Sequence, residues 1–108
     1  MTEPHFQLAV QADEVSPGEV RHVEMGGQEI AVYNVGGEYF ATSDRCTHMR
    51  ARLSDGYITA GVVECPLHFG KFDIRTGRAL SPPCKLDLAT YPVEVRGGSI
   101  FIGLLAPV

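Results

Sequence analysis

Cys46-Thr47-His48 and Cys65-Pro66-Leu67-His68 bracket a stretch of sixteen residues, Met49 to Glu64, and the reading of that stretch organises the rest of the sequence. Each end offers one thiolate and one imidazole. Such a mixed donor set suits iron in an iron–sulfur cluster, or zinc. Asp44 to Arg52 is polar and basic and reads as a loop. Leu53-Ser54-Asp55-Gly56 is a turn signal. Tyr57 to Cys65 holds two short strand candidates around Gly61, Pro66 to Lys71 is a second loop, and Phe72-Asp73-Ile74 returns to strand. Each Cys–His pair therefore sits at a strand-to-loop junction. The hairpin between them would set the two loops side by side, so that a rigid scaffold gathers four donors from two points in the chain.

Outward from this stretch the chain reads as short strands. Residues 5–10 alternate polar with apolar, as a half-buried strand does. Ser16-Pro17-Gly18 is a turn. In the next strand Val20, His22 and Glu24 fall on one side, and Arg21, Val23 and Met25 on the other. Gly26-Gly27, Gly36-Gly37 and Gly97-Gly98 are hairpin candidates. They join segments rich in β-branched and aromatic residues: Ile30 to Val35, Glu38 to Ser43, Tyr91 to Arg96 and Ser99 to Gly103. In the last of these Ile100 and Ile102 share a face opposite Phe101. No segment keeps a 3.6-residue apolar period. The expectation is an all-β antiparallel sandwich or small barrel, carrying a metal-binding subdomain made of two loops.

Composition narrows the function classes. A chain of 108 residues predicts one domain, residues 1–108, with the metal-binding part at about 44–84. It is long enough to bury a core without a metal staple. The net charge of −4 disfavours nucleic acid, which selects a basic face. No apolar run approaches the roughly 20 residues that span a bilayer. Met1 to His5 has neither the basic nor the apolar region of a signal peptide. A cytoplasmic location is expected, where three cysteines read as ligands and a spare thiol rather than a disulfide framework.

The pattern Cys-x-His, sixteen residues, Cys-x-x-His resembles that of Rieske [2Fe–2S] proteins. Around it, Leu53-Ser54-Asp55-Gly56, Cys65 to Asp73, Thr76-Gly77 and Tyr91-Pro92-Val93 resemble the small ferredoxins of bacterial aromatic-ring-hydroxylating dioxygenase systems. The resemblance covers nearly the whole chain. It implies one [2Fe–2S] cluster, with Cys46 and Cys65 on the inner iron and His48 and His68 on the outer one. It also implies an electron carrier rather than an enzyme. The partners implied are a flavin-dependent ferredoxin reductase fed by NAD(P)H and a terminal oxygenase, and the carrier would be a monomer. Two other readings are a small subunit of an assimilatory nitrite reductase and a structural zinc module. The usual zinc-finger spacing places both cysteines before both histidines, which this chain does not.

The ligand set has its own consequence. Two neutral imidazoles in place of two thiolates remove two negative charges, which lifts the potential into a window of about −150 to +300 mV. High-potential Rieske proteins of respiratory complexes carry a disulfide between their cluster loops and a serine and tyrosine that donate to the cluster. The corresponding positions here are Ala51, Leu67, Gly70 and Phe72. A potential near the lower end, roughly −150 mV, is therefore expected.

Met49, Arg50, Leu67 and Phe69 flank the ligands and are candidates for a partner-docking surface. In the ferredoxins the residue at 49 is often glycine, and the residue at 69 is usually small or polar. Arg45, Arg50, Arg52 and Lys71 make the region basic and could steer it towards acidic surfaces. Ser81-Pro82-Pro83 reads as a stiff third loop. Cys84 reads as a small buried apolar residue, His5 and His22 as structural or exposed, and Asp44, Asp55 and Asp73 as turn residues.

Overall fold

The computed structural model describes residues 5–47, 51–67, 70–81 and 86–104. Its strands are β1 (His5–Gln11), β2 (Val20–Met25), β3 (Gln28–Val35), β4 (Glu38–Ser43), β5 (Tyr57–Thr59), β6 (Val62–Glu64), β7 (Lys71–Asp73), β8 (Thr90–Tyr91), β9 (Val93–Arg96) and β10 (Ser99–Leu104). Single 3₁₀ turns occur at Ala12–Glu14 and Leu53–Asp55. The strands form three antiparallel sheets, ordered β1-β10-β9, β2-β3-β4-β8 and β5-β6-β7. The expected all-β antiparallel architecture is the one observed, and none of its helices is long and apolar enough to cross a membrane among the described residues.

The three Gly-Gly pairs turn the β2–β3, β3–β4 and β9–β10 hairpins. All six glycines have positive φ, from 53° to 96°, which a type I′ turn requires and side chains resist. Strand β3 is the common wall of two cores. Ile30 and Val32 point to one side, where they pack with Val10, Val15, Met25, Ala41, Ile100, Ile102 and Leu104. Ala31 and Tyr33 point to the other, where they pack with Cys46, Ala51, Leu53, Val63, Cys65, Phe72, Ile74 and Leu88. The period-2 alternation of a strand places successive side chains in different cores. The first core holds two sheets together, and the second seats the β5-β6-β7 subdomain on them. The Tyr33 hydroxyl pairs with Thr42 Oγ1 at 2.8 Å inside this second core, and burial pushes the phenol well above its usual range.

Two expectations need correction. The alternation of residues 5–10 predicts Phe6, Leu8 and Val10 on one face. The pairing register shifts between Leu8, opposite Phe101, and Val10, opposite Ile100. This bulge turns Val10 into the core and leaves Leu8 exposed. The segment Tyr91 to Arg96 is two strands rather than one. Pro92 has no N–H to give a ladder, and the chain changes sheets there: β8 pairs with β4, whereas β9 pairs with β10. The termini, the second and third residues after Cys46 with Arg50, and the proline loop with Cys84 (1–4, 48–50, 68–69, 82–85 and 105–108) lie outside the described residues.

Candidate metal centre

The first loop leaves β4 at Ser43 and passes through Asp44 to Cys46. It is pinched at its mouth. Cys46 N donates to Ala51 O at 3.0 Å, and Arg45 bridges Arg52. The second loop repeats the device. It leaves β6 at Glu64, and Cys65 N donates to Gly70 O at 2.8 Å. In each loop the cysteine amide thus closes on the carbonyl five residues later. In sequence, His48 falls inside the first closed loop and His68 inside the second.

The β5–β6 hairpin sets these two mouths together, as the sequence pattern implies. Its turn is Ala60-Gly61, with φ of 50° and 78°, again the type I′ combination. One 3₁₀ turn leads into it, and Gly56 lies so close to β6 that a Cβ there would sit 2.1 Å from Glu64 O. Cys46 and Cys65 end up buried in the same core, both as free thiols. Burial pushes the Cys65 thiol up to about 11. The Leu67 N–H opposes that rise by donating to its sulfur, and the neighbouring Cys46 thiol adds to it. Two buried thiols against one another, in a core of Val63, Phe72, Ala51 and Leu53, are a poor place for a free charge. A metal that replaces both protons makes the pair stable as thiolates.

Of the other candidates, Leu67 is 44% exposed beside Cys65. His48, Met49, Arg50, His68 and Phe69 lie outside the described residues. Phe72 is fully buried and has no hydroxyl to offer, and Gly70 spends its carbonyl on Cys65. The basic residues are less free to steer than the sequence suggests. Arg45 and Arg52 both reach Glu29 at 3.3 Å, and Lys71 stands 3.9 Å from Glu64. Asp55 lies on the 3₁₀ turn, and Asp73 caps the Arg75 and Thr76 amides, the turn roles expected of them.

Asp44 does more than close a turn. It is fully buried. Its Oδ2 accepts from His22 Nδ1 at 2.5 Å and from Ser54 Oγ at 2.6 Å, and its Oδ1 accepts from Ser54 N at 2.7 Å. The only sequence signal was an acidic residue between an apolar strand and a cysteine. Its partners lie 22 and 10 positions away, out of reach of any local pattern. His22, Glu24 and Glu29 also bring ligand-type atoms within 4.8 Å of one another. Asp44 holds His22 through Nδ1, and Arg45 and Arg52 hold Glu29.

Residues 5–92 match the family model for the Rieske [2Fe-2S] domain. The chain belongs to the Rieske family. It is 46% identical over 98 residues to the biphenyl dioxygenase ferredoxin subunit of Pseudomonas sp. (strain KKS102), covering 90% of each chain. Among solved structures it is similar to the Sphingomonas yanoikuyae B1 ferredoxin, with a TM-score of 0.88 at 40% identity over 93% of this chain and 99% of that one. It is also similar to a chain in the complex of reduced oxygenase and oxidised ferredoxin of carbazole 1,9a-dioxygenase. That match has a TM-score of 0.86 at 38% identity over 91% of this chain and 92% of that one. The Rieske fold decides between the two metals that the donor set left open. The cofactor is one Rieske [2Fe–2S] cluster rather than a structural zinc. The paired, buried, unbridged thiols fit the all-sulfur side of such a cluster, and the Leu67 N–H aimed at Cys65 is the kind of donor that tunes it.

Proposed function

We propose that this protein is a low-potential Rieske ferredoxin. It carries single electrons from an NAD(P)H-dependent flavin reductase to the terminal oxygenase of an aromatic-ring-hydroxylating dioxygenase system. One observation carries the reading: the β5–β6 hairpin brings Cys46 and Cys65 into one core as neighbouring free thiols. In sequence, each begins a closed loop that contains a histidine. The relatives, ferredoxin subunits and components of dioxygenase systems, support the role of carrier rather than enzyme.

In this reading Cys46 and Cys65 hold the inner iron as thiolates, and His48 and His68 hold the outer iron through neutral imidazoles. The bound cluster supplies a one-electron couple. The chain supplies its environment. Val63, Leu53 and Phe72 exclude water behind the thiols. The pinched loops fix the backbone of the two cysteines. Leu67 is exposed beside Cys65, and with Met49, Arg50 and Phe69, which neighbour the ligands in sequence, it is the candidate surface for partner docking. The absence of hydroxyl donors at Gly70 and Phe72 keeps the potential low, roughly −150 mV. The chain acts as one domain, residues 1–108, with the cluster in the part spanning about 44–84. It works as a cytoplasmic monomer that alternates between the two partners.

Aerobic purification tests the cluster. The expected product is red-brown, holds about two irons per chain and bleaches on reduction. A colourless protein with one zinc ends the reading. Reconstitution with the reductase and oxygenase of a ring-dioxygenase system tests the role. Substrate hydroxylation should depend on added ferredoxin, and oxygenase turnover without it refutes the assignment. A measured potential above zero refutes the low-potential part.

A further inference from the structure

The chain places a buried carboxylate two residues before Cys46, and the family reading gives it no task. Asp44 is fully buried, and both of its carboxylate oxygens are hydrogen-bonded. His22, on β2, and Ser54, on the 3₁₀ turn before the hairpin, supply three donors at 2.5 to 2.7 Å. The Asp44 backbone is held too. Its N–H donates to Glu29 O at 3.0 Å, and its carbonyl accepts from Leu53 N at 2.8 Å. One residue therefore ties the first loop to the body sheet through β2 and β3, and to the hairpin that carries Cys65. Two residues of extended chain span at most about 7 Å between Cα atoms, and the Asp44 charge is felt by the Tyr33 phenol, which packs in the same core as Cys46. A charge in a low-dielectric interior is weakly screened there.

We infer that Asp44 is a positioning residue for the first cluster loop and a fixed negative charge that holds down the potential of the cluster. The inference rests on Cys46 as a cluster ligand. A negative charge nearby disfavours an added electron. The donors from His22 and Ser54 offset part of that charge, so the potential depends on how completely Asp44 is satisfied. Removing the charge and removing a donor then act in opposite directions. A residue that only stabilised the fold has no reason to give opposite signs.

Two variants, each purified with its cluster, test this. Asp44→Asn keeps the shape and loses the charge, and its potential is expected to rise. His22→Leu removes one donor and leaves the two from Ser54 on the Asp44 carboxylate, and its potential is expected to fall. Potentials are read by redox titration. Iron content and the electron paramagnetic resonance spectrum of the reduced protein show that the cluster is intact. A rise in the first and a fall in the second support the inference. An unchanged potential in either, or a shift of the opposite sign, overturns it. If Asp44→Asn does not hold a cluster, His22→Leu decides alone by the same criterion. If the unsubstituted protein holds no iron–sulfur cluster, it is the family reading of the ligands that has failed.

Discussion

Replacing Gly56 with alanine sets a methyl group against the backbone of β6. The conformation is not the obstacle, because φ at Gly56 is −92°, open to any residue. The obstacle is contact. The new Cβ would lie 2.1 Å from Glu64 O and 3.1 Å from Leu53 O. Both neighbours are backbone carbonyls, so no rotamer can make room. The turn at Leu53–Asp55 and the strand β6 must separate by roughly 1.3 Å or more to restore van der Waals contact. Overpacking of this kind costs about 1–3 kcal/mol, which in a domain near 100 residues lowers the midpoint of thermal unfolding by about 5–20 °C. The strain is also directed. Glu64 precedes Cys65, so pushing β6 away pulls the second thiol from the first. Gly56→Ala should therefore lose cluster content as well as stability. Thermal unfolding followed by far-ultraviolet circular dichroism, with iron per chain measured in parallel, tests both parts. A variant that melts at the unsubstituted temperature with a full cluster would refute the packing argument.

Other substitutions and conditions follow the same reasoning. Gly77→Ala meets two penalties, a φ of +76° and a Cβ placed 2.3 Å from Leu88 O; it should destabilise by more than Gly56→Ala, as read by urea unfolding. Tyr33→Phe removes the partner of a buried Thr42 hydroxyl that also donates to Ser43 O, and a loss of about 1 kcal/mol is expected in the same assay. In the metal-free protein the Cys65 thiol is raised from 9.0 to about 11, chiefly by burial. The unfolded chain releases this proton near pH 9 while the fold retains it, so stability contributed below pH 9 is lost as pH rises towards 11. A midpoint that stays constant over that range contradicts the burial argument. His68→Cys replaces a neutral imidazole by a thiolate and should lower the potential if the cluster survives; an intact cluster with an unchanged potential removes His68 from the ligand set.

The sequence by itself determined the elements whose causes are local. Each Gly-Gly pair demands a turn with positive φ, and the segments between them have the composition of strands, so the hairpins β2–β3, β3–β4 and β9–β10 are legible from neighbours alone. The two Cys–His pairs are likewise local patterns, and the hairpin between them already implied that the loops meet. The tertiary structure decided what depends on distant residues. Whether Leu8 or Val10 faces the core is set by the partner strand β10, through a bulge that no alternation reveals. The division at Pro92 into β8 and β9 matters only because two sheets lie on either side of it. The turn role read for Asp44 gave no hint of a hub, since the donors that make burial of its carboxylate tolerable come from His22 and Ser54. A buried charge is stable only when its partners converge in space, and convergence across the chain is a property of the fold rather than of any stretch of sequence.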